Sequence, residues 1–388
     1  MRIADVRVQP LGYKDPLHDI YRSFALVRIE TNSGLTGLGE ASDCFGHKNP
    51  LVIAAIVEEE LRRHLLGEDP LQVRRLTHKL RGLVGRGLGY DGPVIQAISG
   101  LELALWDIAG KAREEPVYRL FGGPLRDRIP LYASGSVDFG QPPQWYVDYY
   151  QPYLDRGIRA LKLRIGNSLE ADLELVAGVR EIVGSEVAIL VDAAANYTAE
   201  TAIRLARALA KYDVYLLEEP LPEKDRVAMA RLVAVSPVPI AYGEHTYGVH
   251  GFRDLILSKS ASIFEPDATV CGGLVECLNI GALAEAWGIP LIPHCGMLTA
   301  VGTAANLHLA ALLPGLVMLE YDANPFKPQL DEFPTDAFMS LDRVENGCLR
   351  LPEGPGWGVQ LDERAVARYP YSPRADYVWM PQYGTPHL

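Results

Sequence analysis

Cysteine is scarce in this chain, and the few present do not pair up. Five stand far apart, at Cys44, Cys271, Cys277, Cys295 and Cys348. An odd number without a repeating spacing excludes a disulfide framework, and Cys271 and Cys277 are not spaced like zinc ligands. They read as reduced thiols of a cytoplasmic protein, most of them packing residues. Long apolar runs are missing too. No segment approaches the roughly 18 uninterrupted apolar residues of a membrane helix. The opening Met1-Arg2-Ile3-Ala4-Asp5-Val6 alternates like a strand and lacks the apolar stretch of a secretory signal. Positive charge is in deficit. With 37 Lys and Arg against 49 Asp and Glu, the net charge is −12. Such a surface is a poor partner for nucleic acid and for anionic membranes. A small anionic ligand is not excluded, because a metal or a few convergent cations reverse the field locally.

The 388 residues suffice for two domains. Residues 1–125 place strands before helices, the order of an α+β unit. Ala25–Thr31 reads as a strand, and Asn32-Ser33-Gly34-Leu35-Thr36-Gly37 turns back into another. Helical patterns run from Leu51 to Leu66 and from Pro93 to Ala112. In the second, Ile98, Leu101, Ala104, Leu105 and Ile108 share a face. Near Arg128 the pattern changes, and over 126–345 short apolar runs alternate with amphipathic stretches. The expected strands are Ile129–Ala133, Ala160–Ile165, Ala188–Val191, Tyr215–Leu217, Ile240–Tyr242, Ser262–Phe264, Leu291–Ile292 and Val317–Leu319. Eight strands with seven intervening helices predict an α/β fold, a modified TIM barrel of (β/α)7β type with an N-terminal α+β capping domain. An open doubly wound sheet competes, but no Gly-x-Gly-x-x-Gly turn follows the first strand. Residues 346–388 are rich in Pro and Gly and are expected to pack back on the capping domain.

Chemistry collects at the ends of the apolar runs: Lys162 and Arg164, Asp192, Glu218, Glu244, Asp267, His294 and Glu320. From Asp192 to Glu244, and again from Asp267 to Glu320, they recur every 26 or 27 residues, close to the roughly 30 of one β/α unit. Each therefore occupies the same place in successive units, the barrel face where active sites lie. Asp192, Glu218 and Glu244 would converge and repel one another unless a divalent cation stood between them. Oxygen ligands without Cys or His favour Mg²⁺, with Mn²⁺ as a substitute, over Zn²⁺. Any one of these acids alone would more often cap the following helix, but three in register argue for a metal. Lys162 and Arg164 are two apart on a strand and face the same side. The guanidinium stays protonated, whereas Lys162 either stabilises charge or, if desolvated, titrates. Asp267, one unit before His294, is placed to fix its tautomer and raise its basicity. Glu320 has two open readings, a protonated donor to a developing enediolate or a helix-capping acid.

These residues, with what surrounds them, resemble the enolase superfamily, in its mandelate racemase subgroup (the mandelate racemase/muconate lactonizing enzyme family). The resemblance covers nearly the whole chain. It includes Ala104-Leu105-Trp106-Asp107-Ile108-Ala109-Gly110-Lys111, Lys162-Leu163-Arg164, Val191-Asp192, Glu218-Glu219-Pro220 and Gly243-Glu244-His245. It continues through Asp267, Cys271-Gly272-Gly273 and Ile292-Pro293-His294. It implies that Asp192, Glu218 and Glu244 bind one Mg²⁺, with Glu219 behind them. Asp267 and His294 would form the proton-transfer dyad, and Lys162 would face the substrate carboxylate. Enolase-superfamily sites with a Lys or His base and Mg²⁺ are an established pattern. The N-terminal domain would cap the barrel and choose the substrate through two loops, Tyr13–Arg22 and Gly82–Gly92. Their candidates are His18, Tyr21, Arg22, Arg86 and Tyr90, with His245 as a further substrate contact. Two departures narrow the activity. Arg164 stands where a second lysine is common, so a base on each face of the substrate carbon is doubtful and racemisation loses support. Ala194 stands two after Asp192, where many relatives carry Asn, or His in the galactonate and mannonate dehydratases, so those two activities lose support.

The expected reaction is dehydration of a sugar acid, an aldonate or aldarate, to a 2-keto-3-deoxy acid. It begins with loss of the proton next to the carboxylate. The alternatives are an epimerase, racemase or sugar-lactone cycloisomerase using the same enediolate, and a sugar-acid binding protein without activity. The expected partner is a small carboxylate, and a homo-oligomer, dimer or octamer, is anticipated.

Overall fold

The computed structural model of the chain describes residues 1–17, 20–43, 50–135 and 140–372. Strands β1 (Ile3–Lys14), β2 (Tyr21–Thr31) and β3 (Thr36–Ala41) form an antiparallel sheet. The helix Pro93–Arg113 lies across it, because Gly37, Gly39 and Gly100 let the backbones touch. A Cβ on Gly39 would collide with the Gly100 carbonyl. The stretch expected as one helix from Leu51 is wound more loosely. An α-helical turn Pro50–Ala55 continues as a π-helix, Ile56–Leu61, and a 3₁₀ turn, Arg62–His64. The buried residues there, Ile53, Val57, Leu61 and Leu65, recur strictly every fourth position, wider than the 3.6-residue α period.

The second unit is a closed parallel barrel. Its strands are β4 (Arg128–Ser134), β5 (Ala160–Arg164), β6 (Ala188–Asp192), β7 (Val214–Glu218), β8 (Ile240–Tyr242), β9 (Ile263–Phe264) and β10 (Leu319–Asp322). From β4 to β9 each pairs with the next, and β10 pairs with β4. The predicted strand at Leu291–Ile292 is a single ladder position, bridging Phe264 on one side and Leu316 on the other. It completes the ring with one residue. The last strand lies later than the expected Val317–Leu319, because its pairing with β4 begins at Leu319 opposite Leu131. Helices Pro143–Asp155, Leu169–Val183, Ala199–Leu209, Arg226–Val235, Gly248–Ser258, Leu274–Trp287 and Ala300–Leu312 surround it. Ser168, Thr198, Asp225 and Thr299 cap four of them with side-chain oxygens.

Two carboxylates of the first unit fix its position on the barrel. Glu102 accepts from Leu274 N and Val275 N, at the start of helix Leu274–Trp287. Glu40 accepts from Thr299 N and Gly302 N, at the start of helix Ala300–Leu312. Both are buried acids at helix N-termini, where the partial positive charge suits them. The C-terminal part touches both units. Strand β11 (Cys348–Arg350) pairs with β4, while Trp357 N donates to Asp107 and its indole to the Leu38 carbonyl. The four cysteines within the described residues are free thiols, three of them buried; Cys44 lies outside those residues. No helix among the described residues is long and apolar enough to cross a membrane.

His308 joins three of these pieces and gives the fold a pH dependence. It is fully buried. Its Nδ1 accepts from Tyr118 N at 3.2 Å, which leaves Nε2–H to donate to the Trp357 carbonyl at 3.3 Å. Burial pushes its pKa down to about 3, whereas an unfolded imidazole titrates near 6.5. The stabilisation is therefore complete above about pH 6.5 and declines as pH falls toward 3, by roughly 1.4 kcal/mol per pH unit. Urea midpoints measured from pH 7 to 4 should fall less steeply for His308→Asn than for the wild type. Parallel slopes would show that His308 does not titrate on unfolding.

Candidate active site

The barrel interior is built in layers. Its apolar floor is Tyr132, Ala160, Leu190, Leu216, Ala241, Ile263, Ile292 and Met318, one residue from each strand position. Side chains alternate along a strand, so two residues further on the same inward face recurs. There stand Ser134, Lys162, Asp192, Glu218, Gly243, Glu265, His294 and Glu320. This second layer is almost wholly polar. Another two residues on come Arg164, Asp267, Gly296 and Asp322.

Two corrections to the sequence reading follow. Asp267 had been placed level with His294 by equal spacing, but the β9 residue at that level is Glu265, and Asp267 lies one layer higher. By alternation the β8 position at that level is Gly243, at φ +144°, and Glu244 follows it, its carboxylate still reaching 3.4 Å from His294 Nε2. Glu265 was missed. The signal that could have found it is the one used for Lys162 and Arg164, a spacing of two before Asp267. The same spacing after Glu320 identifies Asp322.

Charge is heavily unbalanced. Asp192, Glu218, Glu219, Glu244, Glu265, Asp267 and Glu320 are all buried, together with Lys162 and Arg164. The Lys162 ammonium donates to both Glu218 oxygens at 3.0 Å, and lies 3.1 Å from Glu320 and 3.6 Å from Asp192. Arg164 pairs with Asp192. Burial would lower the Lys162 pKa, but Glu218 and Glu320 outweigh it and hold the amine well above its ordinary value. Burial, then Asp192, push Glu218 well above the usual carboxylate range, against the pull of Lys162. Burial, then Glu218, do the same to Glu265, whose two oxygens accept no hydrogen bond among the described residues.

His294 Nδ1 lies 2.8 Å from Asp267 Oδ2. Asp267 is itself held by Thr269 N, the Thr269 hydroxyl and Asn306 Nδ2. The ring is therefore fixed, and Nε2 turns to Glu244, at 3.4 Å, and Glu320, at 3.6 Å. Burial would lower the His294 pKa; Glu244, Glu320 and Asp267 instead raise it to about 9. Glu320 is not a protonated donor. Burial would raise its pKa, but Lys162 and His294, with hydrogen bonds from Ser134 and Cys295 N, hold it well below the usual carboxylate range. Nor does it cap a helix.

The groups closest to a ligand-like spacing are Glu219, Glu244 and His245, one ligand atom of each within 4.8 Å of the others. This set shares only Glu244 with the expected metal triad. Its internal contact is an ion pair, His245 Nδ1 to Glu219 at 3.1 Å, and Glu219 raises the His245 pKa to about 10 although burial opposes it. Asp192, Glu218 and Glu244 suit a hard divalent cation better. They are acid-only, they stand on adjacent strand ends, and Lys162 and Arg164 are too few to balance the carboxylates around them.

The cap residues divide. Tyr21 and Arg22 lie in strand β2, so the loop expected over Tyr13–Arg22 is confined to its middle. The Tyr21 hydroxyl accepts from Ser372 N, and its ring packs on Tyr371. Arg22 is buried against Asp15. Arg86 and Tyr90 are exposed, and neither lines the barrel-mouth cavity. His18 lies outside the described residues. That cavity is bounded by Ser134, Gly135, Arg164, His294, Gly296, Met297, Glu320, Asp322 and Asn324. Wider depressions exist, one beside Asp91 and Tyr247, but the ionisable groups converge here.

Residues 19–122 match the mandelate racemase/muconate lactonizing enzyme N-terminal domain, and residues 145–365 match the family described as enolase C-terminal domain-like. The chain is 32% identical to a D-galactarolactone cycloisomerase of Agrobacterium fabrum, over 90% of this chain and 91% of the other. It is also 32% identical to a D-xylonate dehydratase of Haloferax volcanii, over 88% and 84%. The crystal structure of a racemase from Streptomyces coelicolor with bound magnesium superposes with a TM-score of 0.83 at 29% identity, covering 94% of this chain and 99% of that one.

Proposed function

The chain belongs to the mandelate racemase/muconate lactonizing enzyme family of the enolase superfamily, and from that premise we propose that it dehydrates a sugar acid to a 2-keto-3-deoxy acid. The observation that carries this reading is the fixed imidazole of His294, held by Asp267 and facing the same cavity as Arg164, Glu320 and Asp322. Asp192, Glu218 and Glu244 would hold one Mg²⁺, which when bound supplies positive charge to the substrate carboxylate and offsets Glu244, bringing His294 nearer the pH range where it both takes and gives a proton.

The chain's own groups divide the remaining work. Lys162 and Arg164 hold fixed positive charge where the carboxylate gains electron density as the neighbouring carbon loses its proton. Such preorganised charge is usually the largest catalytic contribution. His294 Nε2 takes the C2 proton and delivers a proton to the 3-hydroxyl, which leaves as water. The enol so formed becomes the 2-keto-3-deoxy acid. With Arg164 fixed in charge and His294 serving as both base and acid, the elimination is syn. Glu320, ionised, steadies the imidazolium.

A second reading is favoured by the cycloisomerase relative. Removing the same proton from a sugar lactone expels a ring oxygen in place of water. A screen of sugar acids and their lactones with Mg²⁺, read as keto-acid formation and as ring opening, separates the two. Tight binding of sugar acids without exchange of the C2 proton would overturn both and leave a binding protein.

A further inference from the structure

The cavity has a far end that the proton-transfer chemistry does not use. Past Glu320 on β10, the chain presents Asp322 and Asn324 to the cavity. Both are almost fully buried. Asp322 Oδ1 accepts from Asn324 N and Nδ2. Asp322 Oδ2 and Asn324 Oδ1 accept nothing among the described residues. Opposite them is the Tyr149 hydroxyl, buried and likewise without a hydrogen-bond partner there. It stands beside cavity-lining Gly135: a Cβ at that glycine would lie 3.1 Å from the Tyr149 oxygen and 2.8 Å from Asn324 N. The ring is held by stacking on Trp145, 5.3 Å away. Behind them is Arg22, whose Nε and Nη2 go to Asp15 and whose Nη1 is unpartnered among the described residues. Asp322 is close enough to act on both Arg22 and Tyr149 electrostatically. Lys327 also approaches, but its ammonium is used on the Asp322 carbonyl and over the Tyr321 ring.

Buried polar atoms are seldom left unpaired without a reason. Here acceptors and a donor lie unpaired near one another, Asp322 and Asn324 on the wall of the cavity that holds His294 and the Tyr149 hydroxyl behind its Gly135. A hydroxyl both donates and accepts, so a chain of hydroxyls satisfies such a mixed set. A carboxylate only accepts, and would meet the Asp322 charge. We propose that Asp322, Asn324 and Tyr149 form a subsite for the distal hydroxyls of the substrate, selecting a polyhydroxylated monoacid (an aldonate) over the matching diacid. This rests on the sugar-acid reading above and narrows it. Arg22 lies behind the subsite, its charge balanced by Asp15.

The test pairs D-gluconate with D-glucarate, and D-galactonate with D-galactarate. Turnover with Mg²⁺ and the acid-induced rise in melting temperature are both recorded. The wild type should favour the monoacid by about tenfold or more in kcat/KM, the effect of about one charge-assisted hydrogen bond. Asp322→Asn should erode that preference. Tyr149→Phe should raise KM for the monoacid about tenfold without lowering the melting temperature of the free protein. A purely structural role for an unpartnered hydroxyl predicts no change in KM. The thermal response to D-glycerate, which is too short to reach the subsite, should be the same in all three proteins. A wild-type preference for the diacids overturns the proposal. So does unchanged monoacid binding in both variants, and in that case turnover of the acids leaves the dehydratase reading standing. If no acid is turned over but aldonates stabilise the wild type and not the variants, the dehydratase reading fails and the subsite stands.

Discussion

Glu218→Gln is expected to reduce turnover by about 10³-fold or more, the order of several kcal/mol that a metal supplies to a developing anion. Glu218 lies between the other two acids of the proposed triad and is the carboxylate most burdened by its neighbours. It is raised well above its ordinary pKa by burial and by Asp192, and is relieved mainly by Lys162. The amide keeps the shape and one acceptor for Lys162 while removing the charge. The fold should therefore survive, and the melting temperature without metal should stay level or rise, because a poorly compensated buried charge has gone. Mg²⁺ affinity, measured by calorimetric titration, should fall sharply. EDTA treatment should abolish wild-type turnover, and Mg²⁺ should restore it. Full activity in Glu218→Gln, or in the EDTA-treated wild type, would refute the metal assignment. Tight Mg²⁺ binding by Glu218→Gln together with its loss in Glu219→Gln would move the site to the Glu219–Glu244–His245 group.

His294→Asn should lower kcat far more than it raises KM. A general acid or base contributes about 10²–10⁴-fold, and a group serving as both should lie at or above the top of that range. Metal binding should be spared, because the proposed ligands are other residues. In D₂O, deuterium should stop entering at C2 of the substrate in His294→Asn. Arg164→Lys should retain part of the activity, since a fixed charge is preserved although the fork geometry toward Asp192 is lost. Exchange that continues at the wild-type rate in His294→Asn but disappears in Lys162→Ala would sink the single-histidine mechanism. Lys162 would then be the base, against the three carboxylates that hold it protonated, and the elimination would be anti.

The barrel and its cap were legible in the chain because period-two apolar runs, helical faces and repeat length are local properties. The eight strand positions came from such runs, and the fold class is borne out. Equal spacing located the inward strand end wherever a strand continues straight to its last residue, as at Asp192 and Glu218. It failed on β9, where the ordered strand is only Ile263–Phe264 and Asp267 lies beyond it, one layer above His294. It also passed over Glu265, because the spacing of two before Asp267 was not applied there as it was at Lys162 and Arg164.

By itself, then, the sequence determined the two-part α/β architecture and the polar ends of the barrel strands. Each depends on residues near one another in the chain or repeating at a constant interval. Only the tertiary structure decided which of these groups meet and in what charge state. It set Lys162 among three carboxylates, ionised Glu320 instead of protonating it, and turned Tyr21 toward the C-terminal segment. It also brought Asp322 and Asn324 to one wall of the cavity, with the Tyr149 hydroxyl behind Gly135. Those outcomes depend on distances between segments many residues apart, and on burial, which sets how strongly such neighbours act on each other. Neither quantity is written in the order of residues along a strand.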